Sequence, residues 1–207
     1  MILSNFVVFE GLDGTGTTTQ LLQLKERAKA ENNPVFFTGE PTNGEIGKLV
    51  RKILSGALPA VPETLARLFA ADRGEHLYGQ NGILSHLKAG EAVFCDRYVL
   101  SSLAYQGLSA DPSLVQELNH PFPLPEYLFF FEINPEKSME RVERRGEEKE
   151  IFEKIDFQKK VSDRYVKLLE RYQETEPDMT IIRIDAAQPI PIITEKIWSI
   201  VGNLPKL

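Results

Sequence analysis

The sequence predicts an α/β fold in which five parallel strands form one sheet with helices on both faces. Short apolar runs alternate with longer helical patterns along the chain, which is typical of strand–helix–strand units. The short runs are rich in β-branched and aromatic residues, as buried strands are. They are Phe6–Phe9, Val35–Thr38, Ala92–Cys95, Tyr127–Phe131 and Thr180–Ile184. Because ligands of such sheets lie at the carboxyl ends of the strands, we expect the functional residues there.

The composition bounds the class of protein. A chain of 207 residues with 42% hydrophobic content can bury a sizeable core, so we expect one domain over residues 1–207. The 24 Lys+Arg and 30 Asp+Glu residues leave a net charge of -6. This charge disfavours nucleic acid and anionic membranes as partners, so an anionic ligand must be held by local positive groups.

The N-terminus and the cysteine content indicate the cellular compartment in which the protein is expected. The single cysteine, Cys95, cannot form an intramolecular disulfide. The start "MILSNFVVFEG" lacks the basic residues and the apolar stretch of a signal peptide. No apolar run approaches the roughly 18 residues that span a bilayer. We therefore expect a cytoplasmic protein.

A glycine-rich turn joins the first predicted strand to a helical pattern in "FVVFEGLDGTGTTTQLLQL", which is the order of a phosphate-binding loop. Glycines allow backbone N–H groups to surround phosphate oxygens, and the positive end of the helix dipole lies at the same place. The alternative is a turn of this kind without a ligand. The predicted ATP-binding positions are Gly11, Asp13, Gly14, Thr15, Gly16, Thr17, Thr18 and Thr19.

One position departs from the pattern G-x-x-x-x-G-K-[ST]. Thr17 stands where a lysine would bring a positive charge to the β- and γ-phosphates of ATP, and its hydroxyl offers one neutral hydrogen bond instead. Thr18 has the position of the hydroxyl ligand of Mg²⁺. The loop thus predicts nucleotide binding with one positive charge missing.

The helical patterns carry apolar faces that can cover the sheet. Leu21, Leu24 and Ala28 give the first helix such a face. A later helix has an apolar stripe with the spacing i, i+4, i+7, i+8 and i+11. Its residues are Val161, Tyr165, Leu168, Leu169 and Tyr172.

An aromatic residue and an arginine lie one helical turn apart in "LARLFAADRGEHL". Phe69 and Arg73 could together stack on a planar base and bond to its edge. Taken in isolation, the segment instead favours Phe69 in the core and Arg73 on the surface.

Charged residues follow the third predicted strand directly in "VFCDRYVLSSLAYQG". At the carboxyl end of that strand, Asp96 could hold the water shell of Mg²⁺, and Arg97 could clamp a phosphate with two N–H groups. A surface Asp–Arg pair is the alternative. The segment "TGEP" ends the second strand in a similar way, with a proline that fixes a turn.

Acidic and basic residues are densely mixed between about residues 137 and 167, which is typical of a solvated helix pair with weak ion pairs. The exception is "RRGEEKEI", where a glycine and few apolar residues predict a mobile connection. It carries Arg144 and Arg145. We expect this lid at about residues 142–152.

Together these segments resemble the thymidylate kinase family of P-loop enzymes, which move the γ-phosphoryl of ATP onto dTMP. The resemblance covers nearly the whole chain, in the family's order and spacing. It is carried by "FEGLDGTG", "EPTNGEIGKLVRKIL", "LFAADRGEHL", "DRYVLSSLAYQG", "ERVERRG" and "IDAAQPI". It implies the P-loop kinase fold with a mobile lid, ATP and dTMP as substrates, Mg²⁺ as cofactor, and a homodimer.

The resemblance also implies which residues bind the acceptor nucleotide. Phe69 would stack on thymine, Arg73 would reach the base edge, and Arg97 would hold the phosphate. Asp13 would meet the sugar, and Tyr105 would wall off the ribose 2′ position. The full set is Asp13, Glu40, Phe69, Arg73, Arg97, Ser101, Ser102, Tyr105, Gln106, Glu153 and Asp156. Ser102 and Gln106 resemble base-edge contacts, whereas Glu153 and Asp156 match acids that help order this site.

The implied catalytic residues are Asp13, Arg97, Arg144 and Arg145, and the implied metal ligands are Thr18 and Asp96. Thr17 and Gly39 depart from the family's pattern, since many members have a lysine and an arginine there. Gly14 stands where some members carry a catalytic arginine. Members that lack it resemble this chain in placing arginines in the lid, so we expect the lid to supply the missing charge.

Two other functions are compatible with the pattern. The first is a nucleotide sensor or scaffold that has lost catalysis with its lysine, and the second is a kinase for another nucleoside monophosphate. A decayed catalyst would have little reason to keep Asp96, Arg97 and the lid arginines. Phe69, Arg73 and Tyr105 favour dTMP as the acceptor.

Overall fold

The computed structural model describes residues 1–145 and 154–206, apart from the side chain of Arg145. Its five strands form one parallel sheet in the order β2-β3-β1-β4-β5. The strands are β1 (Ile2–Gly11), β2 (Val35–Gly39), β3 (Ala92–Asp96), β4 (Leu124–Glu132) and β5 (Thr180–Asp185). The predicted fold class and all five predicted strands are confirmed, although β1 and β4 begin earlier than their apolar runs.

Helices connect the strands and cover both faces of the sheet. They are α1 (Thr17–Ala30), α2 (Glu45–Leu54), α3 (Pro62–Tyr78), α4 (Ile83–Lys88), α5 (Val99–Ser109), α6 (Pro112–Asn119), α7 (Pro135–Arg145), α8 (Ile155–Thr175) and α9 (Ile190–Val201). Local sequence sets several of their starts. Proline occupies the beginning of α3, α6 and α9, and Asp111 caps α6 by accepting the N–H of Ser113 at 2.8 Å.

The core lies on both sides of β1, whose central residues are buried on alternating faces. Val7 and Phe9 pack into one apolar cluster with α1 and α9, whereas Phe6 and Val8 pack into another with α5. All four side chains are at most 1% exposed. Successive side chains point to opposite faces of the sheet, and both faces are covered here. Every residue from 6 to 9 is therefore apolar, as expected of such a strand.

The predicted helix faces pack against this sheet. Leu21, Leu24 and Ala28 of α1 are buried, as are Val161, Tyr165 and Leu169 of α8. Leu168 and Tyr172 are partly buried at the edge of the α8 stripe. Within the described ranges, the structure contains no helix that combines the length and the apolar character needed to cross a membrane.

The register of β1 places the candidate site. Phe9 pairs with Asp96 of β3 on one side and with Phe129 of β4 on the other. The loop that follows β1 therefore leaves the sheet directly beside the end of β3. This confirms the prediction that Asp96 and Arg97 lie next to the glycine-rich loop.

Candidate functional site

The loop between β1 and α1 has the backbone of an anion-binding turn. Gly14 and Gly16 have φ angles of 82° and 95°, in the left-handed region that favours glycine. The Thr15 hydroxyl donates to the carbonyl oxygen of Leu12 at 2.8 Å and so closes the turn. Gly16 is the N-cap of α1 and has no side chain with which to cap it. The first N–H groups of α1 are therefore suited to an external anion.

Helix α7 lies directly on this loop, which the sequence did not indicate. Ser138 is fully buried, and its hydroxyl donates to the carbonyl oxygen of Asp13. A Cβ atom at Gly14 would lie 2.4 Å from the carbonyl oxygen of Ser138 and 3.0 Å from Cγ2 of Val142. A side chain at position 14 is therefore excluded unless α7 moves, which explains why this chain has glycine there.

Two glycines of the loop provide a matched test of that packing. We expect Gly14→Ala to destabilise the protein more than Gly16→Ala, since a Cβ at Gly16 has no atom within 4 Å. Both substitutions impose a left-handed backbone on alanine, at about 1–2 kcal/mol each, and only the first adds a collision. Urea unfolding of both variants measures the difference. Equal losses of stability in the two variants would show that α7 moves away from a side chain at position 14 at little cost in free energy.

A hydroxyl and a carboxylate meet where the loop approaches β3. Thr18 Oγ1 donates to Asp96 Oδ2 at 2.8 Å. Asp96 Oδ1 is buried and has no hydrogen-bond partner among the described residues. Buried carboxylate oxygens are rarely left unpaired, so this atom is available to a ligand. The two predicted metal ligands are thus in contact with each other.

Arg97 has a strained backbone and a firmly held side chain. Its φ angle is 66°, in a region that costs a non-glycine residue about 1–2 kcal/mol, and its N–H donates to the carbonyl oxygen of Phe9 at 2.9 Å. The guanidinium donates to Asp13 Oδ1 at 2.6 Å and to Ser101 Oγ at 3.1 Å. It also lies 5.2 Å from the centre of the Tyr105 ring. Such strain is characteristic of functional sites.

The second oxygen of Asp13 collects donors from two helices. Tyr105 Oη of α5 donates to Asp13 Oδ2 at 3.2 Å, and Gln158 Nε2 of α8 donates at 2.9 Å. Burial raises the pKa of Tyr105, so its phenol remains a donor at neutral pH. Gln158 is fully buried and was missed by the sequence reasoning. By contrast, Asp156 has an exposed side chain in the first turn of α8.

Arg73 belongs to a buried charge network. Its Nη2 and Nε atoms donate to Glu40 Oε2 at 2.6 and 3.0 Å, and its side chain is 1% exposed. Nη2 also donates to Ser102 Oγ at 3.1 Å. His76 Nδ1 lies 3.1 Å from the other oxygen of Glu40. The interpretation of Arg73 as a surface residue is wrong, because Glu40, at the end of β2, supplies the charge that allows its burial.

These groups line one cavity. Its walls are Asp13, Glu40, Pro41, Arg51, Leu54, Phe69, Arg73, Arg97, Tyr98, Ser101, Ser102, Tyr105 and Gln106. All of the predicted acceptor-site residues are present except Asp156, which does not reach the cavity, and Glu153, which lies outside the described residues. Phe69 is half-buried, so it both packs on the core and faces the cavity.

The cavity also contains polar groups that suit a planar polar ligand. Tyr98 Oη and Gln106 Oε1 are buried, and neither has a hydrogen-bond partner among the described residues. Arg51 of α2 was missed by the sequence reasoning. Its guanidinium donates to the carbonyl oxygens of Pro41 and Thr42, and it also lines the groove that contains Thr18 and Asp96. Arg51 therefore links the cavity to the phosphate-binding loop.

The predicted lid lies largely outside the described residues. Its segment 146–153 is not described, and neither is the side chain of Arg145. The exposed side chain of Arg144 donates from Nε to the carbonyl oxygen of Glu140 at 3.2 Å. Arg141 Nη2 donates to the carbonyl oxygen of Ala186, just after β5, at 3.1 Å.

Comparison with known proteins agrees with this geometry. The family model "Thymidylate kinase" matches residues 9–197. A protein of Treponema pallidum (strain Nichols), named "Putative thymidylate kinase", is 46% identical over 95% of this chain and 94% of its own length. A "Probable thymidylate kinase" of Methanocaldococcus jannaschii is 42% identical over 83% of this chain and 85% of its own.

A "Probable thymidylate kinase" of Methanococcus maripaludis (strain DSM 14266) is 38% identical over 99% of both chains. The similarity therefore extends over the loop after β1, the cavity and the helices that follow them. A match of this length and identity, on an unbroken parallel sheet with the loop at the end of its central strand, places the chain in the thymidylate kinase family.

Proposed function

We propose that the protein transfers the γ-phosphoryl group of ATP to dTMP, giving dTDP and ADP. One observation carries this proposal. A single cavity joins the phosphate-binding loop, through Asp13 and Arg97, to a pocket with an aromatic wall at Phe69 and a buried arginine at Arg73. A phosphate donor and a nucleoside monophosphate could thus be held end to end.

The pocket provides the chemistry needed to recognise thymine. Phe69 offers an aromatic face for the base, since stacking between aromatic rings prefers offset parallel planes. Gln106 Oε1 is an unpaired acceptor that can receive the N3–H of thymine. Arg73 Nη1 donates one N–H to Asn119 and keeps a second N–H that could donate to a base carbonyl, and the Glu40 pairing fixes its direction. Tyr105 lines the same cavity, and we propose that its ring restricts the ribose 2′ side.

The acceptor phosphate is held by arginines rather than activated by a base. A phosphate oxygen is already a nucleophile, so phosphoryl transfer requires alignment, charge neutralisation and exclusion of water. Arg97 is fixed by Asp13 and Ser101. Arg51 approaches from α2 on the other side. Two guanidinium groups could therefore orient one phosphate toward the loop.

The two predicted metal ligands, Thr18 and Asp96, fit Mg²⁺. Asp96 Oδ1 is an unpaired buried oxygen, and the adjacent Thr18 hydroxyl is a neutral oxygen ligand. The described residues contain no cluster of three His, Cys, Asp or Glu side chains that could hold a metal. This suits an ion that keeps several waters and phosphate oxygens as ligands. When bound, Mg²⁺ would neutralise charge on the β- and γ-phosphates.

The test is a panel of nucleoside monophosphates assayed with Mg²⁺-ATP by release of ADP. We expect the highest kcat/KM for dTMP and a lower value for dUMP, because one methyl group in an apolar pocket discriminates by about 1–3 kcal/mol. EDTA should abolish turnover. A preference for AMP, CMP or GMP would contradict the acceptor assignment.

The same assay addresses the sensor alternative. ATP binding without turnover on any acceptor would support a nucleotide sensor. The contacts of Arg97 with Asp13 and of Thr18 with Asp96 support the enzyme instead, since they bring phosphate-binding and metal-binding groups to the loop. We also propose the homodimer that the family resemblance implies, and light scattering of the purified protein measures its mass.

A further inference from the structure

We propose that Glu10 is a positioning residue that holds the start of α5, and with it Arg97 and Ser101, in the conformation that binds the acceptor phosphate. This inference rests on the proposed function, which assigns Arg97 to that phosphate. Glu10 is the penultimate residue of β1 and is 0% exposed. It does not line the cavity, so a direct contact with substrate does not explain it.

The contacts of Glu10 all lead to α5 or to its support. Oε1 accepts the backbone N–H groups of Tyr98 at 2.9 Å and Ser101 at 3.2 Å. Oε2 accepts the hydroxyls of Ser101 at 2.6 Å and Tyr165 at 3.0 Å. A carboxylate has about four acceptor sites, and these four donors fill them. The side chain is thus satisfied as an anion, although burial raises its pKa.

Glu10 supplies the cap that α5 lacks in its own sequence. The N-cap residue is Tyr98, whose side chain does not cap the helix, and the first turn contains no acidic residue. The first N–H groups of a helix need acceptors, and a negative charge there is stabilising. The carboxylate comes from β1, eighty-eight residues earlier in the chain. This side chain therefore ties the first turn of α5 to the end of β1, just before the phosphate-binding loop.

The same contacts reach Arg97 from two directions. The backbone of Arg97, at a φ angle of 66°, lies between its own N–H bond to Phe9 and the bond from Tyr98 N–H to Glu10. Ser101 forms the second connection. Its hydroxyl donates to Glu10 and accepts from Arg97 Nη1 at 3.1 Å. Loss of Glu10 would release both the strained backbone and the hydroxyl that orients the guanidinium.

The experiment compares binding of dTMP and thymidine, which differ in the phosphate, by calorimetry. For Glu10→Gln we expect dTMP affinity to fall by about tenfold, as when a hydrogen bond to a charged group is lost, with thymidine affinity nearly unchanged. The KM for dTMP should rise more than the KM for ATP. In Arg97→Ala, the added Glu10→Gln should have little further effect, because residues that act through one another are not additive.

Two further variants keep the test decisive. Ile197→Val perturbs the buried core face of α9 and should alter stability without changing the ratio of dTMP to thymidine affinity. If Glu10→Gln does not fold, Tyr165→Phe removes one donor to Glu10 with little change of shape and should weaken dTMP selectively. Parallel weakening of dTMP and thymidine, or unchanged affinity for both, would overturn the positioning role.

The wild-type protein separates this inference from the function on which it rests. Failure of the wild type to phosphorylate dTMP would contradict the proposed function. Normal turnover by the wild type, together with a phosphate-dependent loss in Arg97→Ala and none in Glu10→Gln, would overturn the role of Glu10 alone.

Discussion

Replacement of Arg97 by alanine is expected to lower kcat with dTMP by on the order of 10²–10³-fold, as for removal of a preorganised charge from a transition state. The KM for ATP should change little. Arg97 is the cation that Asp13 and Ser101 hold at the junction of the cavity and the loop. Its loss would leave the acceptor phosphate poorly aligned and Asp13 without its 2.6 Å ion pair.

Steady-state kinetics with both substrates varied measures this effect, with Arg27→Ala as the control. Arg27 is also ion-paired and of similar exposure, 30% against 23% for Arg97. It lies near the end of α1, about 15 Å along the helix from the loop. Arg97→Lys keeps the charge without the two-pronged geometry, so it should recover only part of the rate. A wild-type kcat in Arg97→Ala would remove Arg97 from the catalytic site.

Replacement of a lid arginine by alanine is expected to have the largest effect, lowering kcat by on the order of 10³-fold or more, as for an arginine finger. The reason is Thr17, which leaves the β- and γ-phosphates short of one positive charge. The helical spacing favours Arg145 over Arg144. Positions 138, 142 and 145 are related as i, i+4 and i+7, so they share a face of α7. Two of them, Ser138 and Val142, are the neighbours of Gly14 in the loop.

The matched pair is Arg145→Ala and Arg144→Ala, each alone and combined with Thr17→Lys. Arg144 is exposed and bonded to the preceding turn of its own helix, so its loss should have a small effect. If the lid supplies the missing charge, lysine at position 17 should partly restore turnover to Arg145→Ala. Near-normal turnover in both single variants would show that the charge comes from another group.

The strands were predictable because burial on both faces leaves continuous apolar runs. The lengths of the strands were harder to predict. β1 begins at Ile2, four residues before its apolar core, and Asn5 within it has a φ angle of 60° at an irregularity in the pairing with β4. A polar residue in a bulge interrupts the pattern from which a strand is recognised.

The site was predictable where its residues lie at a strand end or within two residues of it, as Asp13, Asp96 and Arg97 do. Gln158, Arg51 and Ser138 were not, because they come from helices whose position over the sheet depends on tertiary packing. Glu10 was hidden for another reason. A single acid in an apolar strand gives no local sign that its three partner residues lie 88 to 155 residues later.

The strand order has a consequence for folding. β1 is the central strand, and both of its neighbours, β3 and β4, come late in the chain, with Phe9 pairing to Asp96 and to Phe129. During synthesis the first strand must therefore wait without a partner until β3 has been made at residue 96 of 207, and without its second partner until β4 has been made at residue 132. Pairings so distant in sequence are slow to form and expose apolar segments meanwhile. The phosphate-binding loop is thus synthesised early but takes its folded form late. We therefore expect a nascent chain to acquire nucleotide affinity only after β4 has joined the sheet.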